Sequence, residues 1–174
     1  MAYRICFVCS GNICRSPMAE AVMRRLLDDA GLATLVRVDS AGTGDWHVGD
    51  AADRRAVAAL GNAGYDGSGH RARAFDRRWF AERDLVVALD RGHLRELRSL
   101  AVEARDRDKV RLLRSFAIDS FAIDSFASDT DSDLDVADPY YGGAEDFAVV
   151  LRQVEEGCRG ILSQLQRDGV GRSA

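Results

Sequence analysis

The sequence predicts an α/β fold, a three-layer α/β/α sandwich in which a four-stranded parallel sheet lies between two layers of helices. Three observations predict it: short apolar runs suited to buried strands, helical periodicity between those runs, and short connections that join them. Strands that alternate with helices along a chain form parallel sheets covered on both faces. With 174 residues and 47% hydrophobic content, the chain has the size and composition of one globular domain.

The first strand, loop and helix form the most regular part of the sequence. The apolar run Tyr3–Cys9 predicts a strand. Ser16 then supplies a capping hydroxyl and Pro17 a first-turn proline, ahead of an apolar stripe at helical spacing. A second strand is predicted over Leu35–Asp39, and it leads into the turn-like segment Ser40–Gly42.

The remaining elements continue the alternation. Buried strands are predicted over Asp84–Leu89 and Val110–Leu113. Helices are predicted over Ala52–Ala63, Arg77–Arg83, Arg91–Ala104 and Glu145–Arg167. In parallel sheets, ligands bind beyond the carboxyl ends of the strands, and Cys9 stands at such an end.

One stretch departs from this pattern. Residues 116–128 contain a tandem FAIDS repeat, an acidic run follows, and no periodicity is visible from residue 113 to residue 135. Connections of this length are uncommon unless they are functional or disordered. We therefore expect a mobile insert at 116–134, which a neutral duplication explains more simply than a dedicated role. We also expect a flexible C-terminal tail at 169–174.

Composition excludes several classes of function. The net charge of −4 and the pI of about 5.4 lack the basic bias of a nonspecific nucleic-acid binder. The opening residues have no leader pattern, and no segment approaches the roughly eighteen apolar residues of a membrane span. We expect no nucleic-acid partner, no membrane partner and a cytoplasmic location. Four cysteines are too few and too unevenly spaced for a disulfide framework: Cys6, Cys9, Cys14 and Cys158.

The motif CSGNICRS predicts a loop that binds an anion beside a nucleophilic thiol. Cys9 lies before a helix N-terminus, where unpaired N–H groups and the helix dipole favour both a thiolate and a bound phosphate. Arg15 adds a planar fork that can hold two phosphate oxygens. Gly11 and Asn12 tolerate the left-handed backbone of a tight turn, and the Ser16 hydroxyl can donate to the thiolate. These residues predict attack by Cys9 on phosphorus.

One known family, the low-molecular-weight protein tyrosine phosphatases, has a signature that residues 9–17 (CSGNICRSP) resemble. The likeness extends to SAGTG at 40–44, GHRA at 69–72 and DPYY at 138–141, and it spans nearly the whole chain. The segments GTGDWHVGD and LDVADPYYGG resemble the actinobacterial branch most. The resemblance implies one phosphatase domain over residues 1–174 and a flavodoxin-like strand order 2-1-3-4.

The resemblance also implies an activity. It is the hydrolysis of phosphotyrosine through a phosphocysteine intermediate, with no metal or other cofactor. Cys9 matches the nucleophile, Arg15 the phosphate-binding arginine, and Asp138 the general acid that protonates the leaving phenolate and later takes a proton from water. Trp46 and Tyr140 match aromatic walls around the substrate ring. The implied substrate-binding residues are Ser10, Gly11, Asn12, Ile13, Cys14, Ser16, Trp46, Tyr140 and Tyr141.

Further roles follow from the same resemblance. Ser40 and His70 match residues that brace the loop with Asn12, so His70 is expected to be structural. Cys14 either packs under the loop or resolves an oxidised Cys9 as a disulfide, and the resemblance favours the redox role. The expected partners are phosphotyrosine-containing proteins and a cognate tyrosine kinase acting on the tyrosines after Asp138. The expected oligomeric state is a monomer or a weak dimer.

The remaining candidate residues have simpler interpretations. Cys6 and Cys9 have C-x-x-C spacing, but residues three apart on a strand point to opposite faces, so Cys6 is interpreted as core. His47 and His93 have no partner pattern and are interpreted as ordinary polar residues. Asp90 follows a strand and either orders the loops or caps a helix.

Three alternative functions share parts of this motif. Arsenate reductases of the same fold use two additional cysteines, and this chain has none between Cys14 and Cys158. Protein-arginine phosphatases carry threonine after the loop asparagine, where this chain has Ile13. A non-catalytic phosphate-recognition module needs neither Cys9 nor Asp138, and both are present, although the insert before Asp138 could displace that acid.

Overall fold

Parallel strands form the centre of the molecule in this computed structural model, which describes residues 1–121 and 134–170. The strands are β1 (Tyr3–Cys9), β2 (Val36–Gly42), β3 (Leu85–Ala88) and β4 (Val110–Leu112). They pair in the order β2-β1-β3-β4, and every pairing is parallel. The predicted sheet and its strand order are confirmed.

Helices cover both faces of the sheet. They are α1 (Arg15–Asp29), α2 (Arg54–Asn62), α3 (Arg91–Leu100), α4 (Ala104–Asp108), α5 (Leu113–Phe121) and α6 (Ala144–Arg167), with a 3₁₀ helix at Arg77–Glu82. Side chains alternate along β1: Ile5 and Phe7 join a core with α1 and α6, whereas Cys6 and Val8 join a second core with Phe80. This alternation produces the three layers. Within the described ranges, no helix is both long and apolar enough to cross a membrane.

Two boundaries differ from the sequence prediction by more than two residues. Ser40–Gly42, predicted as a turn, continues β2, because Phe7 pairs with Ser40 and Cys9 with Gly42. The helix predicted over Arg91–Ala104 ends at Leu100, and a separate short helix begins at Ala104. The break is stabilised by Arg107, whose Nη1 donates to the carbonyls of Ala101 and Val102 at 3.0 and 2.9 Å.

The insert prediction is wrong for its first residues, which form helix α5 rather than a loop. Leu113 and Phe116 are buried against α6. A Cβ on Gly157 would lie 2.5 Å from Leu113 Cγ, and one on Gly160 would lie 2.2 Å from the Phe116 carbonyl oxygen. Because α6 carries glycine at both positions, α5 can approach it closely. Residues 122–133 lie outside the described residues.

The C-terminal end is described as far as Val170. Helix α6 is followed by a turn over residues 168–170, in which Gly169 takes a φ of 80°. Val170 N donates to Leu165 O at 3.0 Å. The other residues of the predicted flexible tail, 171–174, lie outside the described residues.

The chain returns to the carboxyl edge of the sheet after residue 133. Val136 N donates to the carbonyl of Leu89, which follows β3, at 2.8 Å. Cys9 ends β1 at the same edge, and Asp90 caps the N-terminus of α3 there. This edge therefore brings together the end of β1, the start of α1, the start of α3 and the segment that carries Asp138.

Candidate active site

The loop between β1 and α1 wraps tightly after Cys9. Asn12 takes a left-handed φ of 57°, as predicted. Gly11 does not have a positive φ, so the predicted reason for this glycine is wrong. A Cβ at Gly11 would lie 2.8 Å from His47 Cδ2, and the position is small because the ring of His47 lies against it.

Asn12 is fully buried and uses every polar atom of its side chain. Its Nδ2 donates to Ser16 Oγ at 2.8 Å and to Ser40 Oγ at 2.9 Å. Its Oδ1 accepts from the backbone N–H of Arg73 at 2.9 Å. One amide therefore connects the loop to α1, β2 and the segment before the 3₁₀ helix.

His70 and Glu20 support the loop from behind. His70 Nε2 lies 2.7 Å from the Asn12 carbonyl oxygen and carries the hydrogen, because a carbonyl only accepts. Ser40 Oγ donates to Glu20 Oε2 at 2.5 Å, and His70 Nδ1 lies 4.0 Å from the same carboxylate oxygen. The expected contacts of Ser40 and His70 are present. Glu20 was not predicted, since an acidic residue on a helix carries no signal of its own.

Ser16 contacts the sulfur but does not cap the helix. Its Oγ lies 2.9 Å from Cys9 Sγ, and either atom can be the donor. It also donates to the Ala41 carbonyl at 3.2 Å. The cap prediction is wrong because α1 begins two residues earlier than predicted, at Arg15 rather than Pro17, with Cys14 at the N-cap and no side-chain cap. The Ser16 hydroxyl is therefore free for the thiol.

Arg15 is buried at the base of the site, with 5% of its side chain exposed. Its Nη1 donates to Asp90 Oδ2 at 2.8 Å and to the Val136 carbonyl at 3.1 Å. Asp90 also accepts from the backbone N–H of His93 at 2.9 Å. The capping role considered for Asp90 is therefore confirmed, and the same carboxylate binds Arg15.

A cavity of about 370 Å³ opens above the loop and contains most of the predicted site residues. Asp138 lies on its wall, and Asp138 Oδ1 accepts from the N–H of Tyr140 at 3.1 Å. Asn12 and Ser16 do not line the cavity, since both are fully buried behind the loop. The cavity is lined by Cys9, Ser10, Gly11, Ile13, Cys14, Arg15, Trp46, His47, Asp138, Tyr140 and Tyr141.

Aromatic side chains form the outer walls of this cavity. Trp46 is 65% exposed and Tyr141 is 97% exposed. Tyr140 packs edge-to-face against Tyr141, with ring centroids 5.0 Å apart. The Arg55 guanidinium lies 5.9 Å from the Tyr140 ring centroid and donates to the Gly142 carbonyl at 2.9 Å. Arg55 thus supports the tyrosine segment from α2.

Two histidines interpreted as ordinary polar residues belong to the site. His47 lines the cavity, and its Nδ1 lies 2.9 Å from Asp50 Oδ2. His93 is buried, and its Nε2 lies 2.8 Å from Ser10 Oγ. Sequence spacing could not reveal the second contact, because 83 residues separate its partners.

The four cysteines are all free. Cys9 and Cys14 line the same cavity. Burial, followed by the nearby Asp53 carboxylate, raises the pKa of the Cys14 thiol to about 12. Cys6 belongs to the core on the other face of the sheet, as expected, and burial raises its pKa well above the ordinary value.

Comparisons with known proteins show which family this chain resembles. A family model described as "Low molecular weight phosphotyrosine protein phosphatase" matches residues 4–171. A low molecular weight protein-tyrosine-phosphatase from Streptomyces coelicolor is 53% identical over 174 residues, covering 100% of both chains. A low molecular weight protein-tyrosine phosphatase A from Mycobacterium bovis is 48% identical over 157 residues, covering 90% of this chain and 88% of its own.

A solved structure gives the same result for the fold. The crystal structure of a protein tyrosine phosphatase from Entamoeba histolytica superposes with a TM-score of 0.84 at 30% identity, covering 96% of this chain and 99% of its own. Its match, the family model and the two bacterial relatives extend over almost the whole sequence. The chain therefore belongs to the low molecular weight phosphotyrosine protein phosphatase family.

Proposed function

We propose that this phosphatase hydrolyses phosphotyrosine in proteins, with Cys9 as nucleophile, Arg15 as phosphate-binding residue and Asp138 as general acid and base. The observation that carries the proposal is that one cavity is lined by the sulfur, the guanidinium and the carboxylate. Trp46 and Tyr140 stand on the walls of that cavity, where a phenyl ring would lie. The substrate class is supported by the names of the relatives.

The Ser16 hydroxyl has one hydrogen to share between two acceptors. When Cys9 is a thiol, its S–H donates to Ser16 Oγ, and the hydroxyl donates to the Ala41 carbonyl. When Cys9 is a thiolate, the hydroxyl hydrogen turns to the sulfur. Asn12 Nδ2 donates to Ser16 Oγ in both states and holds the oxygen in place.

In the first step the Cys9 thiolate attacks phosphorus, and the bond from phosphorus to the tyrosine oxygen breaks. Arg15 and the loop N–H groups stabilise the charge on the transferred group's oxygens. Asp138 gives its proton to the leaving phenolate. Pro139 favours an extended backbone at Asp138, which projects the carboxyl into the cavity.

In the second step water attacks the phosphocysteine. The Asp138 carboxylate, left by the first step, accepts a proton from the attacking water. The sulfur–phosphorus bond breaks, and inorganic phosphate and the Cys9 thiolate are released. In both steps, each group that gives or takes a proton or an electron pair is a side chain of this protein, the substrate or water.

We also infer that Cys14 resolves an oxidised Cys9. An oxidised Cys9 sulfenic acid would condense with the Cys14 thiol to a disulfide and release water, which protects Cys9 from irreversible oxidation. Both thiols are free and line one cavity. The high pKa of Cys14 makes its thiolate scarce at neutral pH, so this step is expected to be slow.

The proposed partners are phosphotyrosine-containing proteins and a tyrosine kinase that modifies the active-site tyrosines. Tyr141 is almost fully exposed, as a kinase substrate must be. The exposed aromatic rim can support weak self-association, so we propose a monomer or weak dimer. Four free cysteines suit a reducing compartment, which supports a cytoplasmic location.

Replacement of the nucleophile tests the proposed function. Cys9→Ser is expected to abolish hydrolysis of a phosphotyrosine peptide while retaining binding of that peptide. Cys158→Ser is a matched control, because Cys158 is a buried thiol in α6, outside the cavity. Turnover by Cys9→Ser at the rate of the control would contradict the proposal.

A further inference from the structure

His93 lies where the first turn of α3 meets the phosphate-binding loop. Its side chain is 4% exposed, and its Nε2 lies 2.8 Å from the hydroxyl of Ser10. Ser10 directly follows Cys9 and lines the cavity. The Ser10 carbonyl accepts from Gly44 N at 3.0 Å, so backbone and side chain of this residue are both held.

Charged groups from three elements surround the imidazole. Asp90 and Glu96 belong to its own helix or cap, Arg15 comes from α1, and Asp138 comes from the segment after residue 133. Burial, the largest effect, lowers the pKa of His93 below its ordinary value of 6.5. His93 is therefore neutral at pH 7, and only one of its two ring nitrogens carries a hydrogen.

The surroundings determine which nitrogen that is. Nδ1 of His93 is buried and has no hydrogen bond of good geometry from any described residue, but Asp90 Oδ1 lies 3.2 Å away. A lone pair facing this carboxylate would be repelled, whereas an N–H facing it is attracted. Nδ1 therefore carries the hydrogen, Nε2 is the acceptor, and the Ser10 hydroxyl donates to it.

We propose that His93 is a positioning residue of the phosphate site, which accepts the Ser10 hydroxyl at Nε2 and ties the start of the loop to the Asp90–Arg15 pair. Asp90 holds Arg15 at 2.8 Å and His93 N at 2.9 Å. The start of α3 thus holds Ser10 through His93 and the Arg15 guanidinium through Asp90. The proposal rests on the proposed function of this loop.

Protonation of His93 changes this arrangement. A charged imidazole has hydrogens on both nitrogens, so Nε2 can only donate to Ser10 Oγ. The Ser10 hydroxyl hydrogen must then turn toward the cavity. Anion binding in wild type is therefore expected to change as His93 titrates at acidic pH, in a way that a variant without the imidazole does not share.

Two substitutions separate the contribution of Nε2 from that of Nδ1. Gln at position 93 reaches as far as Nε2 and can still contact Ser10, whereas Asn reaches only as far as Nδ1. His93→Asn is expected to raise the KM for a phosphotyrosine peptide and the inhibition constant of sulfate about fivefold, the effect of one lost hydrogen bond. His93→Gln is expected to stay within about twofold of wild type at pH 7. Thermal unfolding of both variants checks that they fold.

A double-mutant cycle tests the route through Ser10. Ser10→Ala is expected to have the effect of His93→Asn, and the double variant no more than the larger single effect. The ratio of sulfate inhibition constants between wild type and His93→Gln is expected to vary below pH 6.5 and to be constant above it. The ratio cancels any pH effect that the two proteins share.

The imidazole itself gives a readout that does not depend on catalysis. Nitrogen NMR of the His93 ring is expected to show hydrogen on Nδ1 at pH 7 and a shift at Nε2 in Ser10→Ala. Equal effects of Gln and Asn, additive losses in the double variant, or hydrogen on Nε2 at pH 7 would overturn the proposal. If Cys9 is not the nucleophile, Cys9→Ser will still hydrolyse the phosphotyrosine peptide, and the NMR result for His93 will be unchanged.

Discussion

Asp138 Oδ2 lies 3.6 Å from Arg15 Nη2, joining an exposed carboxylate to a buried guanidinium across the cavity that contains Cys9. Arg15 also donates to the Val136 carbonyl, two residues before Asp138. Arg15, the proposed phosphate-binding residue, thus holds the segment that carries the proposed acid. The insert before this segment does not displace Asp138 from the cavity, which removes the structural reason to favour a non-catalytic binding module.

Replacing the proposed acid should affect poor leaving groups most. Asp138→Asn is expected to lower kcat for a phosphotyrosine peptide about a hundredfold or more, because the phenolate then leaves without a proton. With p-nitrophenyl phosphate the loss is expected to be smaller, since nitrophenolate leaves readily without one. Steady-state kcat values for the two substrates give the comparison. An equal loss on both would remove Asp138 from the acid role.

Asn12 should contribute to stability in two separable ways, through the hydrogen bonds of its buried side-chain amide and through its tolerance of a left-handed backbone. Asn12→Gly keeps the left-handed backbone but leaves the Arg73 N–H without its acceptor, at an expected cost of about 1–3 kcal/mol. Asn12→Ala adds the left-handed strain and is expected to cost about 1 kcal/mol more. Urea unfolding measures both. If alanine proves as stable as glycine here, the φ of 57° is not a constraint on this position.

Because the ring of His47 lies against Gly11, a methyl group at position 11 is expected to displace that ring, and removal of the ring should relieve the clash. Gly11→Ala places a methyl group 2.8 Å from His47 Cδ2 and pushes this side chain from the cavity wall. The KM for a phosphotyrosine peptide is expected to rise about fivefold or more, an overpacking effect. Adding His47→Ala should recover much of that loss, with His47→Ala alone as the control. No recovery in the double variant would show that Gly11 is needed for another reason.

Disulfide formation between Cys9 and Cys14 should depend steeply on pH. The pKa of Cys14 is about 12, so the Cys14 thiolate increases about tenfold for each pH unit between 7 and 10. After brief peroxide treatment, the rate at which the Cys9–Cys14 disulfide appears should follow that increase, as followed by peptide mass spectrometry. Cys14→Ser should instead accumulate over-oxidised Cys9. A rate that does not change over this range would exclude the Cys14 thiolate as the resolving group.

Sequence patterns predicted the parts of the structure that are local. The apolar runs and the helical spacing between them predicted the parallel sheet, the family resemblance implied its strand order, and the CSGNICRS motif identified the loop. Helix α5 was missed because its buried side chains, Leu113 and Phe116, are anchored by Gly157 and Gly160, more than forty residues away. A groove formed by distant glycines leaves no periodic signal in the segment that fills it.

The same limit applies to the site. Cys9, Arg15 and Asp138 were predicted because each stands in a recognisable motif. His93 and Glu20 were not, since their roles depend on contacts across 83 and 20 residues and neither residue stands in a motif of its own. Ser16 was assigned a cap from its place before a proline. That cap is absent, whereas the contact with the Cys9 sulfur, which was also predicted, is present. The bond from the Asn12 amide was not predicted, because it depends on how the loop folds back.

The most direct test of the account is detection of the covalent intermediate. The enzyme is mixed with a phosphotyrosine peptide, quenched within milliseconds, digested with trypsin and analysed by fragmentation of the peptide that contains residues 5–15. Phosphate on the sulfur of Cys9, present during turnover and gone when substrate is exhausted, is the predicted result. Full turnover with phosphate on another residue, or with no phosphoenzyme at any time, would contradict the assignment of Cys9 as nucleophile.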